Sequence, residues 1–181
     1  MSTKSPEIGV NGRVPAHEVS EEEWANLTAI DVTAVWRLSK LFITRALAAE
    51  RDGNIVNISS VHAHSTMPRY AVYAGAKGNI EAFSRGMAVE YGAKGIRVNA
   101  IAPGYVHSDQ NYALIKTWAD DPVAWVGKHS RNQQCLPHEI APIDCGYLAA
   151  FLLSDLSRFI TGQTIRIDAG MTAMLYNNDF V

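Results

Sequence analysis

Apolar residues recur every three or four positions through Trp24, Leu27, Ala34, Leu38 and Leu41. This spacing predicts one long amphipathic helix over about 20–50. Ser20-Glu-Glu-Glu23 opens it as a capping box, with carboxylates near the positive end of the helix dipole, and Asp52-Gly53 closes it. A β-rich run at 54–59 follows. Pro68 lies in the loop before a second helix over 71–93, which stops at Gly92 and Gly95. A strand over 97–101, a turn at Pro103-Gly104, a helix over 143–153 and a last strand over 164–167 complete the pattern. Strands alternating with helices predict an α/β fold with a doubly wound parallel sheet, and in such sheets ligands bind at the carboxyl ends of the strands. Residues 1–19 read as an irregular lead-in. Residues 105–136 read as polar and irregular but carry Tyr112, Trp118 and Trp125; a connector of that length points to a functional segment. The whole chain, 1–181, is expected to form a single domain.

Composition narrows the function classes. Sixteen basic and 18 acidic residues give a net charge of −2 without a basic run, which argues against a nucleic-acid partner. No apolar run is long enough to span a membrane, and the start Met-Ser-Thr-Lys-Ser-Pro-Glu lacks the apolar core of a signal peptide, so a soluble cytoplasmic protein is expected. Cys135 and Cys145 have no metal-like spacing and are expected to be reduced. His62 and His64 form an H-x-H pair without further ligands at suitable spacing, so no metal is expected; they line a pocket mouth or are solvated.

The candidate chemistry lies in Ser60, Tyr73 and Lys77. A four-residue helical step puts Tyr73 and Lys77 on one face. An isolated phenol ionises near pH 10. A neighbouring ammonium favours the phenolate and is expected to draw it toward the working range of a general acid or base. Ser60, at the carboxyl end of a strand, is placed to hold a substrate oxygen. Together the three suit proton transfer to or from an alcohol or carbonyl oxygen.

From Asn54 to Gly170 the chain resembles the short-chain dehydrogenase/reductase family. Asn54-Ile-Val-Asn-Ile-Ser-Ser60 resembles the strand ending in the catalytic serine, and the thirteen-residue step to Tyr73 selects Ser60 over Ser59. Gly95-Ile-Arg-Val-Asn-Ala-Ile-Ala-Pro-Gly104 is similar to the strand and turn beside the nicotinamide, and Phe159–Gly170 to the last strand and its flanks. The resemblance implies a Rossmann-like sheet and hydride transfer between NAD or NADP and a small-molecule alcohol or carbonyl. It implies Tyr73 as the proton-exchanging residue, Lys77 as its tuner and ribose ligand, and Ser60 as the orienting hydroxyl. It further implies cofactor contacts from Pro103, Gly104, Val106 and Ser108, a substrate lid at 105–136, and a homodimer or homotetramer built on the two long helices.

Two departures stand out. The family's amino-terminal strand, glycine-rich loop and helix have no counterpart, since Gly9 and Gly12 do not form a phosphate-cradling turn, although Glu7–Asn11 is read as a remnant of a later family strand end. The fold is therefore expected to be amino-terminally truncated, with cofactor binding in question and strand 54–59 left with an open apolar edge. The alternative is a catalytically silent relative serving as an interaction or scaffold protein, or a gene-model fragment. The second departure is Asp31, which stands where the family's catalytic asparagine would be. A carboxylate on an apolar stripe demands a partner. If it faces Lys77 it would oppose the field at Tyr73, giving a less acidic phenol and activity at higher pH; otherwise it marks a local salt bridge or a kink. Gly75 and Gly78, unfavourable inside a helix, suggest close approach of a partner or cofactor, or helix packing. Asn99 is expected to be a structural hydrogen-bonder.

Overall fold

The structure, a computed structural model, describes residues 14–175. Gly9, Gly12 and the segment Glu7–Asn11 lie outside the described residues.

Helix α1 (Glu21–Thr28) begins at the expected capping box: Ser20 Oγ accepts from Glu23 N, and Glu23 Oε2 accepts from Ser20 N at 2.8 Å. The predicted long helix is not regular. A π turn (Ala29–Thr33) separates α1 from α2 (Ala34–Ala48). Each inserted residue turns the helix phase by roughly 100°, so a stripe counted from Trp24 drifts off the core. Trp24, Leu38 and Leu41 are exposed, and the buried positions are Asp31, Ser39, Ile43 and Ala46.

Three strands, β1 (Gly53–Ile58), β2 (Ile96–Pro103) and β3 (Thr164–Ile167), form a parallel sheet in the order β1-β2-β3, with Ile58 opposite Ile101 and Pro103 opposite Ile167. Strand β2 extends past the predicted 97–101 because it is central and paired on both sides. Among the described residues, β1 is an edge strand.

Alternation sorts the faces. Ile55, Ile96 and Val98 pack with Ile43 and Ala46 of α2 and Met87 and Ala88 of α3 (Ala71–Tyr91). The opposite face carries Asn54, Arg97 and Asn99. Their side chains donate to backbone carbonyls at the end of α6 (Pro142–Leu153) and in the turn after it: Asn54 to Leu153, Arg97 to Leu152, Ser154 and Ile160, Asn99 to Ile160. Asn99 also accepts from Gln163 N at 3.1 Å, the structural role expected of it. Helices thus cover both faces, as a doubly wound sheet requires. Gly95 stops the turn after α3 at φ +74°, a left-handed conformation that glycine adopts without strain.

Residues 105–136 correct the expectation of irregular chain. They contain α4 (Asp109–Ile115), capped by Ser108, and α5 (Pro122–Gln133), capped by Asp121 with proline in its first turn. No helix is long and apolar enough to cross a membrane among the described residues. Both cysteines are free thiols.

Candidate active site

The site forms where β1 and β2 end side by side. Strand β1 runs into Ser59 and Ser60, and both side chains turn toward α3. Ser59 Oγ donates to the Lys77 carbonyl or to Glu81 Oε1, each at 3.0 Å, which ties the strand end to α3. Asn57 Nδ2 adds a bond to Ser84 Oγ at 2.9 Å. Ser60 Oγ accepts from His62 N at 3.3 Å, and its hydroxyl favours the Tyr73 phenolate. One turn along α3, Lys77 places its ammonium 5.5 Å from the centroid of the Tyr73 ring. Ser60, Tyr73 and Lys77 are therefore brought together.

The electrostatics follow the expectation attached to Asp31 rather than the one attached to Lys77 alone. Lys77 Nζ donates to Asp31 Oδ1 at 2.9 Å, and both side chains are about nine-tenths buried. The expected pull on the phenol is reversed: Tyr73 stands above the ordinary phenol range. Burial disfavours its anion first, the Ser60 hydroxyl opposes that by stabilising the phenolate, and the charges of Asp31 and Tyr70 push it further up. The lysine charge that would have lowered it is held by a carboxylate.

Two neighbours were not singled out by the sequence. Tyr70, buried one turn before Tyr73, stacks on His62 at 4.6 Å between ring centroids and meets Tyr73 at 6.2 Å. Its spacing of three from Tyr73 was the available signal. Glu81, one turn beyond Lys77, is a buried carboxylate held by Ser59 and, at 3.0 Å, by His64 Nε2. His62 lies edge-on to Tyr73, and burial holds its imidazole below the usual range, hence neutral. No cluster suited to a metal occurs among the described residues.

The remaining candidates line the end of β2. Gly104 N donates to the Ile167 carbonyl, and a Cβ on Gly104 would stand 2.9 Å from Asp168 Cα, so only glycine lets Pro103-Gly104 run this close to the end of β3. The Val106 carbonyl accepts from Asn111 Nδ2, and Ser108 Oγ accepts from Asn111 N at 3.3 Å. Ser108 is thus the cap of α4 in this structure. Beyond it, Tyr105, His107, Trp125 and His129 pack ring on ring, with Trp125 stacked on His129 at 5.1 Å. A Cβ on Gly75 or Gly78 would meet nothing within 4 Å among the described residues, so packing against them does not explain either glycine.

The donor set suits the nicotinamide-ribose end of a dinucleotide: a hydroxyl, a phenol and an ammonium converge at the carboxyl edge of parallel strands. Neither strand-to-helix connection there, Ser59-Ser60 or Gly104–His107, is the glycine-rich turn that cradles a pyrophosphate.

A family model described as enoyl-(acyl carrier protein) reductase matches residues 6–172. Over 166 residues the chain is 33% identical to 3beta-hydroxysteroid dehydrogenase 1 of Eggerthella lenta, covering 91% of this chain and 60% of that protein. Its fold is similar to a 4-hydroxyisoleucine dehydrogenase mutant complexed with NADH and succinate, at a TM-score of 0.81 and 28% identity over 91% of this chain and 65% of that one. It is also similar to a gluconate 5-dehydrogenase of Burkholderia cenocepacia in complex with NADP and tartrate, at a TM-score of 0.78 and 28% identity over 93% and 64% of the two chains. The chain spans about 60% of the length of the first curated relatives it matches.

Proposed function

The chain belongs to the short-chain dehydrogenase/reductase family, and from that premise we propose that it is an oxidoreductase moving a hydride between NAD or NADP and a small alcohol or carbonyl compound. One observation carries the reading: the Lys77 ammonium stands over the Tyr73 ring, 5.5 Å from its centroid, next to the strand end that carries Ser60. Bound there, a nicotinamide dinucleotide supplies or accepts the hydride. The chain's own residues handle the oxygen and its proton. Tyr73 gives the proton to, or takes it from, the substrate oxygen; Ser60 orients that oxygen; Lys77 reaches the ribose. Pro103, Gly104 and Val106 present backbone to the nicotinamide, and Ser108 hydrogen-bonds the cofactor as well as capping α4. Residues 105–136 close over the substrate as a lid, with their aromatic rings as its inner wall.

The same reading gives the chain a second copy of itself as partner. Gly75, Ala82, Gly86 and Val89 form an exposed stripe on α3, Val89 being 82% exposed, and Trp24, Leu38 and Leu41 stand exposed on α1 and α2. A smooth helix face beside exposed apolar side chains suits close helix pairing in a homodimer or homotetramer.

Titration of the chain with reduced cofactor, followed by nicotinamide fluorescence, tests the enzymatic reading. Saturable binding below about 1 mM, and loss of the fluorescence when a carbonyl compound is added, support it. No binding at that concentration would favour the second reading, a catalytically silent relative acting through its helix surfaces. The engagement of Lys77 by Asp31 speaks for that reading, since it removes a free cation from the site.

A further inference from the structure

Asp31 and Lys77 lie 46 residues apart in sequence, and their side chains meet at 2.9 Å. The π turn Ala29–Thr33 carries Asp31 into the interior, where the residue is only 7% exposed. Single π turns inside α-helices are frequent at functional sites. Asp31 Oδ2 is buried and has no hydrogen-bond partner among the described residues. Lys77 Nζ lies over the Tyr73 ring while its hydrogen bond goes to the carboxylate. At this separation a full negative charge offsets most of the field the ammonium would exert on the phenol.

We propose that Asp31 is a positioning residue: by holding Lys77 it sets the site to give a proton to a carbonyl rather than to take one from an alcohol. This rests on the acid–base role of Tyr73. In that direction the Tyr73 O–H bond breaks, and its proton goes to the substrate carbonyl oxygen. The π pair of the C=O bond becomes the pair of the new O–H bond. The carbonyl carbon receives a hydride, with both electrons, from the reduced nicotinamide, which is left oxidised. The tyrosinate recovers its proton from solvent. The reverse direction needs the tyrosinate beforehand.

The groups facing Tyr73 all bear on this. Asp31 and Tyr70 oppose the phenolate, as burial does, and the Ser60 hydroxyl favours it. His62, edge-on to the ring, is held neutral by burial. Lys77 is paired with Asp31, and Glu81, one turn further, is engaged by Ser59 and His64.

A cofactor-free measurement tests the inference. Absorbance in the tyrosinate band is followed as pH rises, for the chain and for Tyr73→Phe; their difference is the titration of Tyr73. It should begin only above the ordinary phenol value. In Asp31→Asn it should move down by about one pH unit or more, and the rise of kcat/KM for alcohol oxidation should move with it. Should Asp31→Asn fail to fold, the wild-type difference titration still decides: ionisation of Tyr73 at or below pH ~10 overturns the inference. An unshifted titration in a folded Asp31→Asn overturns it as well, even where Tyr73→Phe is inactive. Full turnover by Tyr73→Phe would instead remove the acid–base reading on which the inference stands.

Discussion

Replacing Lys77 with methionine isolates the energetics of the site. The side chain keeps nearly its length, but the ammonium is lost and Asp31 is left with a buried carboxylate whose Oδ1 has lost its partner and whose Oδ2 had none among the described residues. At an effective dielectric of 20, opposite unit charges 4 Å apart attract by about 4 kcal/mol, and the observed pair is closer, at 2.9 Å. Breaking a buried pair by removing one partner destabilises by about 3–5 kcal/mol, because the survivor keeps its desolvation penalty. Lys77→Met should lose that much in urea unfolding followed by tryptophan fluorescence, with an unchanged denaturant slope. The double variant Lys77→Met/Asp31→Asn should recover at least half of the loss, because a neutral amide carries no such penalty. A loss below about 1 kcal/mol, the range of solvent-exposed pairs, or no recovery in the double variant, would refute the reasoning.

Further perturbations address other links in the argument. Arg69 holds φ at +75°, a left-handed conformation that costs an L-residue about 1–2 kcal/mol, immediately before Tyr70. Arg69→Gly should therefore raise stability by about 1 kcal/mol in thermal unfolding, and a lower midpoint would count against strain at that residue. Asn99→Leu removes the amide that bonds the Ile160 carbonyl and Gln163 N–H and should destabilise by about 2 kcal/mol or more; an unaffected unfolding midpoint would deny Asn99 its role in anchoring β3. Val89→Glu puts a charge on the exposed α3 stripe and should shift the sedimentation coefficient toward that of a single chain, while a wild type that already sediments as a monomer would dispose of the proposed self-association.

What the sequence made legible was local. The four-residue step from Tyr73 to Lys77 is set by helix periodicity, Ser60 was selected over Ser59 by the resemblance to the family, and the fold delivers them to one place. The capping box at Ser20 and the glycine stop at Gly95 are equally short-range. The helical stripe misled at Leu38 and Leu41 because one π turn alters the phase of everything after it, and no residue type announces such a turn. The helices in 105–136 were signalled by Ser108 and Asp121-Pro122, but the polar, tryptophan-bearing composition hid them. The ionisation of Tyr73 was legible only as a conditional, resting on whether Asp31 faces Lys77, for a different reason. Its direction is the balance of burial, the Ser60 hydroxyl, Asp31 and Tyr70, and that sum exists only once residues from α1–α2, β1 and α3 have been packed together.

The most direct test of the central claim pairs two numbers from one variant. Tyr73→Phe removes the phenolic oxygen and little else, so affinity for the reduced cofactor should stay within about threefold while turnover falls by about 10²–10⁴, the usual share of a positioned proton donor. Turnover within a few-fold of wild type would contradict the assignment of proton transfer to Tyr73.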